Sequence, residues 1–272
     1  MSEQDHDDHK HGLEFDLEAL ARQRLRRRGV LGLFGVGAAA LVVSHPALAL
    51  AADALCIADP AETAGPYPGD GSNTAPGGTS NVLTESGVVR SDIRSSFGVS
   101  TNTAAGLPLT LRIKIGDVGQ GCAALPGYAL YLWHCTTDGK YSLYTVPDEN
   151  YLRGVQVADA EGYVTFKTIF PGCYDGRWPH MHFEIYPSLD VATDHRNAVL
   201  TSQFAFPTEI CREVYASVAG YEASVSNFER ISIASDNVFR DNSDEQITMM
   251  TPMLTGNTTD GYSADVTVAI AV

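Results

Sequence analysis

The stretch PGCYDGRWPHMHFEIY, residues 171–186, joins a Gly- and Pro-rich turn to a short run of alternating side chains. In a β-strand successive side chains point to opposite faces, so His180 and His182 share one face and the apolar residues that alternate with them share the other. The apolar face predicts a strand packed on a hydrophobic core. The other face carries two imidazoles whose roots lie about 7 Å apart, close enough to converge on one metal ion.

Short apolar or alternating segments, each bounded by Gly, Pro, Asn or Asp, recur on both sides of this strand. Many short strands separated by turn signals are typical of β-sandwiches and barrels, so the chain is predicted to be all-β. We expect a β-sandwich core of two sheets with an irregular N-terminal arm and few short helices, the best helical segment being 207–215. The segments with strand patterns are 87–95, 107–118, 127–135, 162–169, 180–187, 198–206 and 264–272.

The N-terminal region has the composition of an export signal. The basic run RQRLRRR at 22–28 precedes an uncharged run from Gly29 to Ser44, and small residues follow it. The pair Arg27-Arg28 suits the twin-arginine route. A transmembrane anchor is the alternative, but the uncharged run is shorter than the roughly 20 residues that a spanning helix needs. We therefore expect a secreted or extracytoplasmic protein that uses the Tat export machinery and has no stable membrane anchor.

The chain is acidic, with 33 Asp and Glu against 18 Lys and Arg and a formal net charge of −15. This charge argues against nucleic acid or an anionic membrane as a partner. All cysteines follow the signal, at positions 56, 122, 135, 173 and 211. In an oxidising compartment we expect one or two disulfides, and the odd count leaves at least one thiol unpaired.

Tyr174 lies in the turn six residues before His180, where the chain can fold its side chain back over the end of the strand. A phenolate is a hard, anionic oxygen ligand that suits Fe(III) better than Zn²⁺, Cu(I) or Fe(II). Because the pKa of a phenol is near 10, it ionises at neutral pH only when a strong Lewis acid holds it. A ferrous site of two histidines and one carboxylate would need Glu184, the nearby carboxylate on the histidine face.

Three stretches carry ordered motifs around this turn: GYALYLWHCTTDGKYSLY, YLRGVQVADAEGYVTFKTIFPGCYDGRWPHMHF and LTSQFAF. They contain W-x7-Y, L-R-G, T-I-x-P-G-x-Y and R-x-x-H-x-H in that order. This combination resembles the intradiol ring-cleavage dioxygenases, the family of catechol and protocatechuate 3,4-dioxygenases. The resemblance runs from about residue 56 to 215 and is dense between 107 and 206.

The resemblance implies a non-haem Fe(III) cofactor bound by Tyr141, Tyr174, His180 and His182. It implies catechols and O2 as substrates. The ring would open between its two hydroxyl-bearing carbons to give cis,cis-muconate-type diacids.

The resemblance also implies roles in catalysis for three of the site residues. Tyr174 would leave the metal and act as a base toward the catechol. Arg177, with Gln203 nearby, would stabilise negative charge on the activated ring. A permanently charged guanidinium suits that role because it exchanges no proton with the substrate.

Four segments are therefore expected along the chain. Residues 1–49 form a twin-arginine-type signal peptide, and residues 50–106 form an irregular arm with a first strand. Residues 107–215 form the catalytic β-sandwich core, and residues 216–272 form a C-terminal extension that packs on the core.

Further interpretations concern other positions near the motifs. Trp133 is expected to pack beneath the site, and His134, which points the opposite way, is expected to be structural. Tyr67 either lines the mouth of the pocket or is a turn residue. Asp92 and Arg94 are interpreted as scaffold contacts.

Two alternative functions stay open at this point. One is a copper oxidase that uses the same histidines. The other is a secreted β-sandwich module that binds aromatic compounds or carbohydrate without catalysis. Colour separates them, because Fe(III)–tyrosinate charge transfer makes a protein wine-red and a binding module is colourless. The sequence specifies neither an oligomeric state nor a preferred catechol.

Overall fold

A computed structural model describes residues 56–272, so the predicted signal at 1–49 lies outside the described residues. The strands are β1 (Pro108–Asp117), β2 (Ala123–Ala124), β3 (Ala129–Trp133), β4 (Arg153–Val157), β5 (Tyr163–Ile169), β6 (His180–Tyr186), β7 (Leu200–Ala205), β8 (Met253–Asn257) and β9 (Gly261–Ile270). The α-helices are α1 (Thr208–Ser217), α2 (Glu222–Phe228) and α3 (Asp244–Met250). Single 3-10 turns occur at Val82–Thr84, Val118–Gln120, Leu189–Val191, His195–Asn197 and Phe239–Asp241.

The strands form two sheets, which confirms the predicted β-sandwich. One sheet is antiparallel and runs β4-β3-β6-β7. In the other, β1 pairs on one side with β2 and β5 and on the other side with β9, and β8 forms the outer strand beside β9. The β1–β9 pair is parallel, so the last strand returns into the middle of the sheet that the first strand began.

The core between the sheets is built from the alternating apolar residues. Met181, Phe183 and Ile185 of β6 are fully buried there, in one cluster with Leu111 and Ile113 of β1. Because apolar area removed from water contributes about 25 cal/mol per Å², this shared face fixes the register of β6. The predicted division of β6 into an apolar and a histidine face is confirmed.

The opposite face of the β4-β3-β6-β7 sheet is also buried, because the N-terminal arm covers it. Tyr131 and Trp133 of β3 pack on this side in one cluster with Val82 and Leu83 of the arm. All seven residues of β6 are consequently buried. The arm is irregular, as expected, and it forms the cover over the histidine face.

Most of the predicted strands are confirmed, and none of their ends is shifted by more than three residues. The stretch 87–95 differs, because it makes only single bridges and no strand. Val89 pairs with Val155 at the edge of one sheet and Asp92 pairs with Lys167 at the edge of the other. The stretch therefore steps from one sheet to the other and covers both edges, which leaves it too few consecutive partners to form a strand.

The segment after residue 215 contributes to the sandwich itself. It supplies β8 and β9, and the final strand predicted at 264–272 is confirmed by β9. Helix α1 confirms the helical segment predicted at 207–215. The helices at Glu222–Phe228 and Asp244–Met250 were not predicted, since each has only seven residues and shows little periodicity.

A disulfide joins Cys56 to Cys122, 66 residues apart in the sequence. The remaining cysteines, Cys135, Cys173 and Cys211, are buried thiols. Both the expected disulfide and the expected unpaired thiol are thus present. Within residues 56–272, no helix has the length and apolar character needed to cross a bilayer.

A buried arginine fastens the arm to the sheet. Arg153 is fully buried at the start of β4 and donates to the carbonyl oxygens of Tyr67 and Pro68 in the arm, at 2.8 and 2.7 Å. It also donates to the Ser142 hydroxyl at 2.9 Å and carbonyl at 2.9 Å, and to the Tyr131 hydroxyl at 3.0 Å. Every donor direction of the guanidinium is used, which is how a buried cation is stabilised.

Replacing Arg153 with methionine should therefore loosen the arm. Methionine fills similar volume but leaves buried carbonyl groups without donors, so we expect a loss of about 3 kcal/mol in the free energy of unfolding. Urea unfolding measures it. Arg94→Met is the matched control, because Arg94 is exposed in its pair with Asp92 and should change stability by less than about 0.5 kcal/mol. Equal losses in the two variants would contradict this account of Arg153.

Candidate metal centre

Four side chains meet on the covered face of β6. The Nε2 atom of His180 lies 3.0 Å from Nε2 of His182, 3.0 Å from the hydroxyl oxygen of Tyr174 and 3.4 Å from that of Tyr141. The two hydroxyl oxygens are 3.5 Å apart. The four residues predicted as metal ligands are thus brought together with their donor atoms facing one another.

Local structure explains how each residue reaches this point. His180 and His182 open β6 on its outer face. Tyr174 comes from the turn before β6, and Tyr141 follows the turn after β3, two residues beyond Gly139. Trp133 lies opposite His182 in the β3–β6 register, and its ring stacks on the imidazole with centroids 5.0 Å apart and planes within 8°. The predicted packing of Trp133 beneath the site is confirmed.

The hydrogen bonds of His180 settle which ring nitrogen faces the cluster. Its Nδ1 lies 2.5 Å from the carbonyl oxygen of Trp178. A carbonyl oxygen can only accept, so Nδ1 carries the proton and Nε2 presents its lone pair to the other three side chains. A partner on the second ring nitrogen is the usual way in which a ligating histidine is oriented.

Burial keeps both imidazoles neutral. It lowers the pKa of His180 well below its usual value, and the nearby charge of Arg177 lowers it further. The pKa of His182 is also lowered well below its usual value, first by burial and then by His180. Neutral imidazoles are the form that binds metals, so the site is prepared for a cation.

The pKa of the Tyr141 phenol shifts in the opposite direction. Burial raises its pKa well above the usual value, and the neighbouring Tyr174 raises it further. Without a cation this hydroxyl stays protonated at neutral pH. A strong Lewis acid among the four side chains would be needed to hold the phenolate.

This donor set fits a metal ion. Atoms about 2.0–2.2 Å from one ion lie about 3 Å from each other, close to the separations seen here. Among residues 56–272, no group of three or more His, Cys, Asp and Glu side chains comes together to hold a metal. The site of two histidines and one carboxylate is therefore not built, and Glu184 instead accepts a hydrogen bond of 2.6 Å from the Tyr186 hydroxyl. The two tyrosines are what complete the cluster.

Arg177 and Gln203, predicted as catalytic, are joined directly to each other. Both are buried, and an Nη atom of Arg177 donates to the side-chain oxygen of Gln203 at 2.7 Å. Gln203 pairs with His182 in the β6–β7 register and donates to the carbonyl oxygen of Thr63 at 2.9 Å. The charge of Arg177 is close enough to lower the pKa values of His180 and His182.

Sequence reasoning missed Asp236. This fully buried carboxylate accepts a hydrogen bond of 3.0 Å from Nε of Arg177. It lies in an irregular segment 59 residues beyond Arg177. Position 177 itself offered only a general signal, because a buried guanidinium is stabilised by hydrogen-bond acceptors and the sequence contains many of them.

The other residues singled out in the sequence lie outside the cluster of four side chains. His134 is buried on the other side of β3, where Nε2 contacts the Thr168 hydroxyl at 2.6 Å, as expected for a structural histidine. Asp92 and Arg94 form an exposed ion pair of 2.6 Å. The ring of Tyr67 packs against Tyr141 with centroids 4.9 Å apart, so it lies beside the cluster. A role for Tyr67 at the mouth of a pocket stays a prediction.

No protein-family model and no curated protein sequence matches this chain. Solved structures do match it. An intradiol ring-cleavage dioxygenase from Tetranychus urticae aligns with a TM-score of 0.60 at 21% identity, over 79% of this chain and 95% of its own. The chain has the fold of the intradiol ring-cleavage dioxygenases. A second dioxygenase structure aligns with the same TM-score of 0.60 at 22% identity, over 79% of this chain and 95% of its own.

On this intradiol dioxygenase fold, Gly139 holds a place that a side chain would disturb. Its φ is +80°, and an added Cβ would lie 2.7 Å from Cβ of Tyr174. If the cluster binds a metal ion, Gly139→Ala should therefore displace Tyr174 and weaken that binding at least about tenfold in a metal titration. Gly176→Ala is the matched control, because its φ is +77° but its Cβ would meet nothing within 4 Å. Both glycines have a similar positive φ that disfavours alanine, so equal metal affinities would refute the role of Gly139.

Proposed function

We propose that this protein is an exported non-haem Fe(III) dioxygenase. It cleaves catechol-type rings between the two hydroxyl-bearing carbons with O2 and gives cis,cis-muconate-type diacids. The observation that carries the proposal is the convergence of two phenol oxygens and one imidazole nitrogen on Nε2 of His180, at 3.0–3.4 Å, with the two phenol oxygens 3.5 Å apart. The fold shared with intradiol ring-cleavage dioxygenases supports it.

The side chains would hold iron through Tyr141, Tyr174, His180 and His182. When bound, ferric iron supplies the Lewis acidity that draws electron density from a catechol and prepares its ring for O2. Burial of Tyr141 and both histidines keeps water away from that side of the site. Tyr174 is half-buried, so its oxygen, as a phenolate, would be the donor atom best placed to meet the substrate, taking a proton from a catechol hydroxyl and becoming a phenol.

Arg177 and Gln203 supply the polar wall of the site. A buried guanidinium keeps its charge at any working pH and stabilises negative charge on the substrate without exchanging a proton. Its bond to Gln203 restricts where the charge lies. Because the surroundings are buried, water would screen the Coulomb interaction between this charge and a substrate beside it only weakly.

The two alternative functions are less well supported. A copper oxidase would use the same histidines, but a pair of phenol oxygens 3.5 Å apart suits a hard ferric ion better. A binding module without catalysis would have no need of neutral buried imidazoles that face two phenols. The decisive experiment is oxygen uptake against a panel of catechols, with metal analysis of the same sample. A colourless, iron-free protein that takes up no oxygen after iron reconstitution would reject the proposal.

Replacing a ligand should abolish both the wine-red colour and ring cleavage. Tyr141→Phe removes one phenol oxygen and His182→Ala removes one imidazole. We expect the rate of ring cleavage to fall more than about 100-fold in each, which exceeds the usual cost of losing a residue that only hydrogen-bonds to a metal ligand. Absorption spectra and product analysis measure the two effects. Tyr163→Phe, on β5 beneath Arg112, is the control and should keep both. Continued cleavage by Tyr141→Phe with iron bound would count against the assignment.

Export through the Tat route is proposed from residues 22–44, outside the described region. Replacing Arg27 and Arg28 with lysine should retain the protein in the cytoplasm, because the receptor reads the arginine pair. Cell fractionation with immunodetection measures the distribution. Arg22→Lys with Arg24→Lys lies outside the pair and should leave export intact. An unchanged distribution of the Arg27 and Arg28 variant would overturn the proposed route.

A further inference from the structure

The C-terminal extension reaches the candidate site through one buried side chain. Asp236 lies between α2 and α3 and is fully buried. One of its carboxylate oxygens accepts from Nε of Arg177 at 3.0 Å and from the backbone N–H of Trp178 at 2.7 Å. The other accepts from the backbone N–H groups of Val238 and Phe239, at 2.8 and 3.1 Å. Four donors on two oxygens hold the carboxylate in one orientation.

We infer that Asp236 is a positioning residue that fixes the guanidinium of Arg177 toward the substrate. This inference deepens the proposed function and rests on it, since the substrate is the catechol proposed above. Asp236 holds Nε of Arg177, and Gln203 holds one Nη atom at 2.7 Å. A planar group held at two of its three nitrogens cannot rotate, so both the plane and the position of the charge are set.

The two anchors come from opposite sides of the site. Gln203 belongs to β7 and is itself held by the arm through the carbonyl oxygen of Thr63 at 2.9 Å. Asp236 belongs to the extension, which a further contact joins to the arm: Asn242 donates to Glu62 at 3.1 Å. Arm, sheet and extension thus meet around Arg177. Preorganised charge of this kind lowers a barrier because nothing has to reorient during the reaction.

Asp236→Asn would replace one of the two accepting oxygens with a donor. Its single oxygen can serve either the Val238 and Phe239 side or the Arg177 and Trp178 side. Val238 and Phe239 follow position 236 by two and three residues, so their bonds to its side chain close a local turn. Asparagine forms such turns readily. The amide nitrogen would then face Nε of Arg177, donor against donor, and the guanidinium would lose its anchor while the neighbouring turn stays formed.

The test compares Asp236→Asn, Arg177→Gln and the double variant on the iron-loaded enzyme with catechol. We expect Asp236→Asn to lower kcat about 10- to 100-fold, since a charge-assisted hydrogen bond is lost. In the Arg177→Gln background the same change should cost less than about twofold, because Asp236 acts through Arg177. Asp241→Asn is the matched control: it lies exposed on the same segment and should keep full activity. Losses that multiply in the double variant would overturn the inference.

A second measurement does not depend on catalysis. In ¹⁵N spectra of the iron-free protein, the Nε–H signal that disappears in Arg177→Gln identifies Arg177. That signal should be protected from solvent exchange in the natural protein and in Asp241→Asn, and exchange faster in Asp236→Asn. If no catechol is cleaved, the proposed function fails while this readout still decides whether Asp236 fixes Arg177. Equal protection in all folded variants would overturn the inference.

A longer carboxylate covers the case in which Asp236→Asn does not fold. Asp236→Glu keeps the charge and both oxygens but moves them by one methylene. Its melting temperature should be closer to that of the wild-type protein than the melting temperature of Asp236→Asn. We also expect a lower kcat and faster solvent exchange of the Nε–H hydrogen of Arg177. A wild-type kcat together with wild-type protection of the Arg177 Nε–H hydrogen in Asp236→Glu would contradict a positioning role.

Discussion

Strand β6 is buried on both faces, and this constraint shapes the rest of the molecule. Its apolar face is stabilised by the sandwich core, where Phe183 stacks on Phe204 of the neighbouring strand with ring centroids 4.4 Å apart. Its other face carries His180 and His182, whose polar atoms need partners once water is excluded. The carbonyl oxygen of Trp178 serves one ring nitrogen of His180, and the cluster of donor atoms gathers at the other.

Burial of that face depends on segments outside the central strands. The arm is held by Arg153, whose guanidinium bonds are made to neutral oxygens. The extension is held by the ion pair between Arg177 and Asp236. A buried ion pair adds little net stability compared with an apolar substitute, but removal of one partner is costly. The pair between Arg177 and Asp236 therefore matters more for where the two side chains lie than for net stability.

The electrostatics of the centre are internally consistent. The same burial that keeps the imidazoles neutral also keeps the phenol of Tyr141 protonated. The protein thus presents two neutral imidazoles and the neutral phenol of Tyr141 near the positive charge of Arg177. A trivalent cation would reverse that situation by stabilising phenolates, and each phenolate would offset part of its charge. A hard, highly charged ion is therefore the kind of cation that this donor set would favour.

The sequence by itself determined the local features. Period-two alternation placed His180 and His182 on one face of a strand, and a Gly/Pro turn six residues earlier brought Tyr174 within reach. The motifs also pointed to Tyr141, Arg177 and Gln203, which the tertiary structure gathers around the same face. These features follow from backbone periodicity, turn chemistry and a resemblance, all of which can be read along a short segment.

Only the tertiary structure decided the long-range partners. Asp236 binds Arg177, 59 residues away in the sequence, and Cys56 pairs with Cys122, 66 residues away. Strand β9 pairs with β1 in the sheet that also contains β2, β5 and β8. No local pattern marks these choices, because many carboxylates, thiols and strands in the sequence could have served equally well. Which of them meet depends on how the whole chain packs and on the free energy of covering both faces of β6 together.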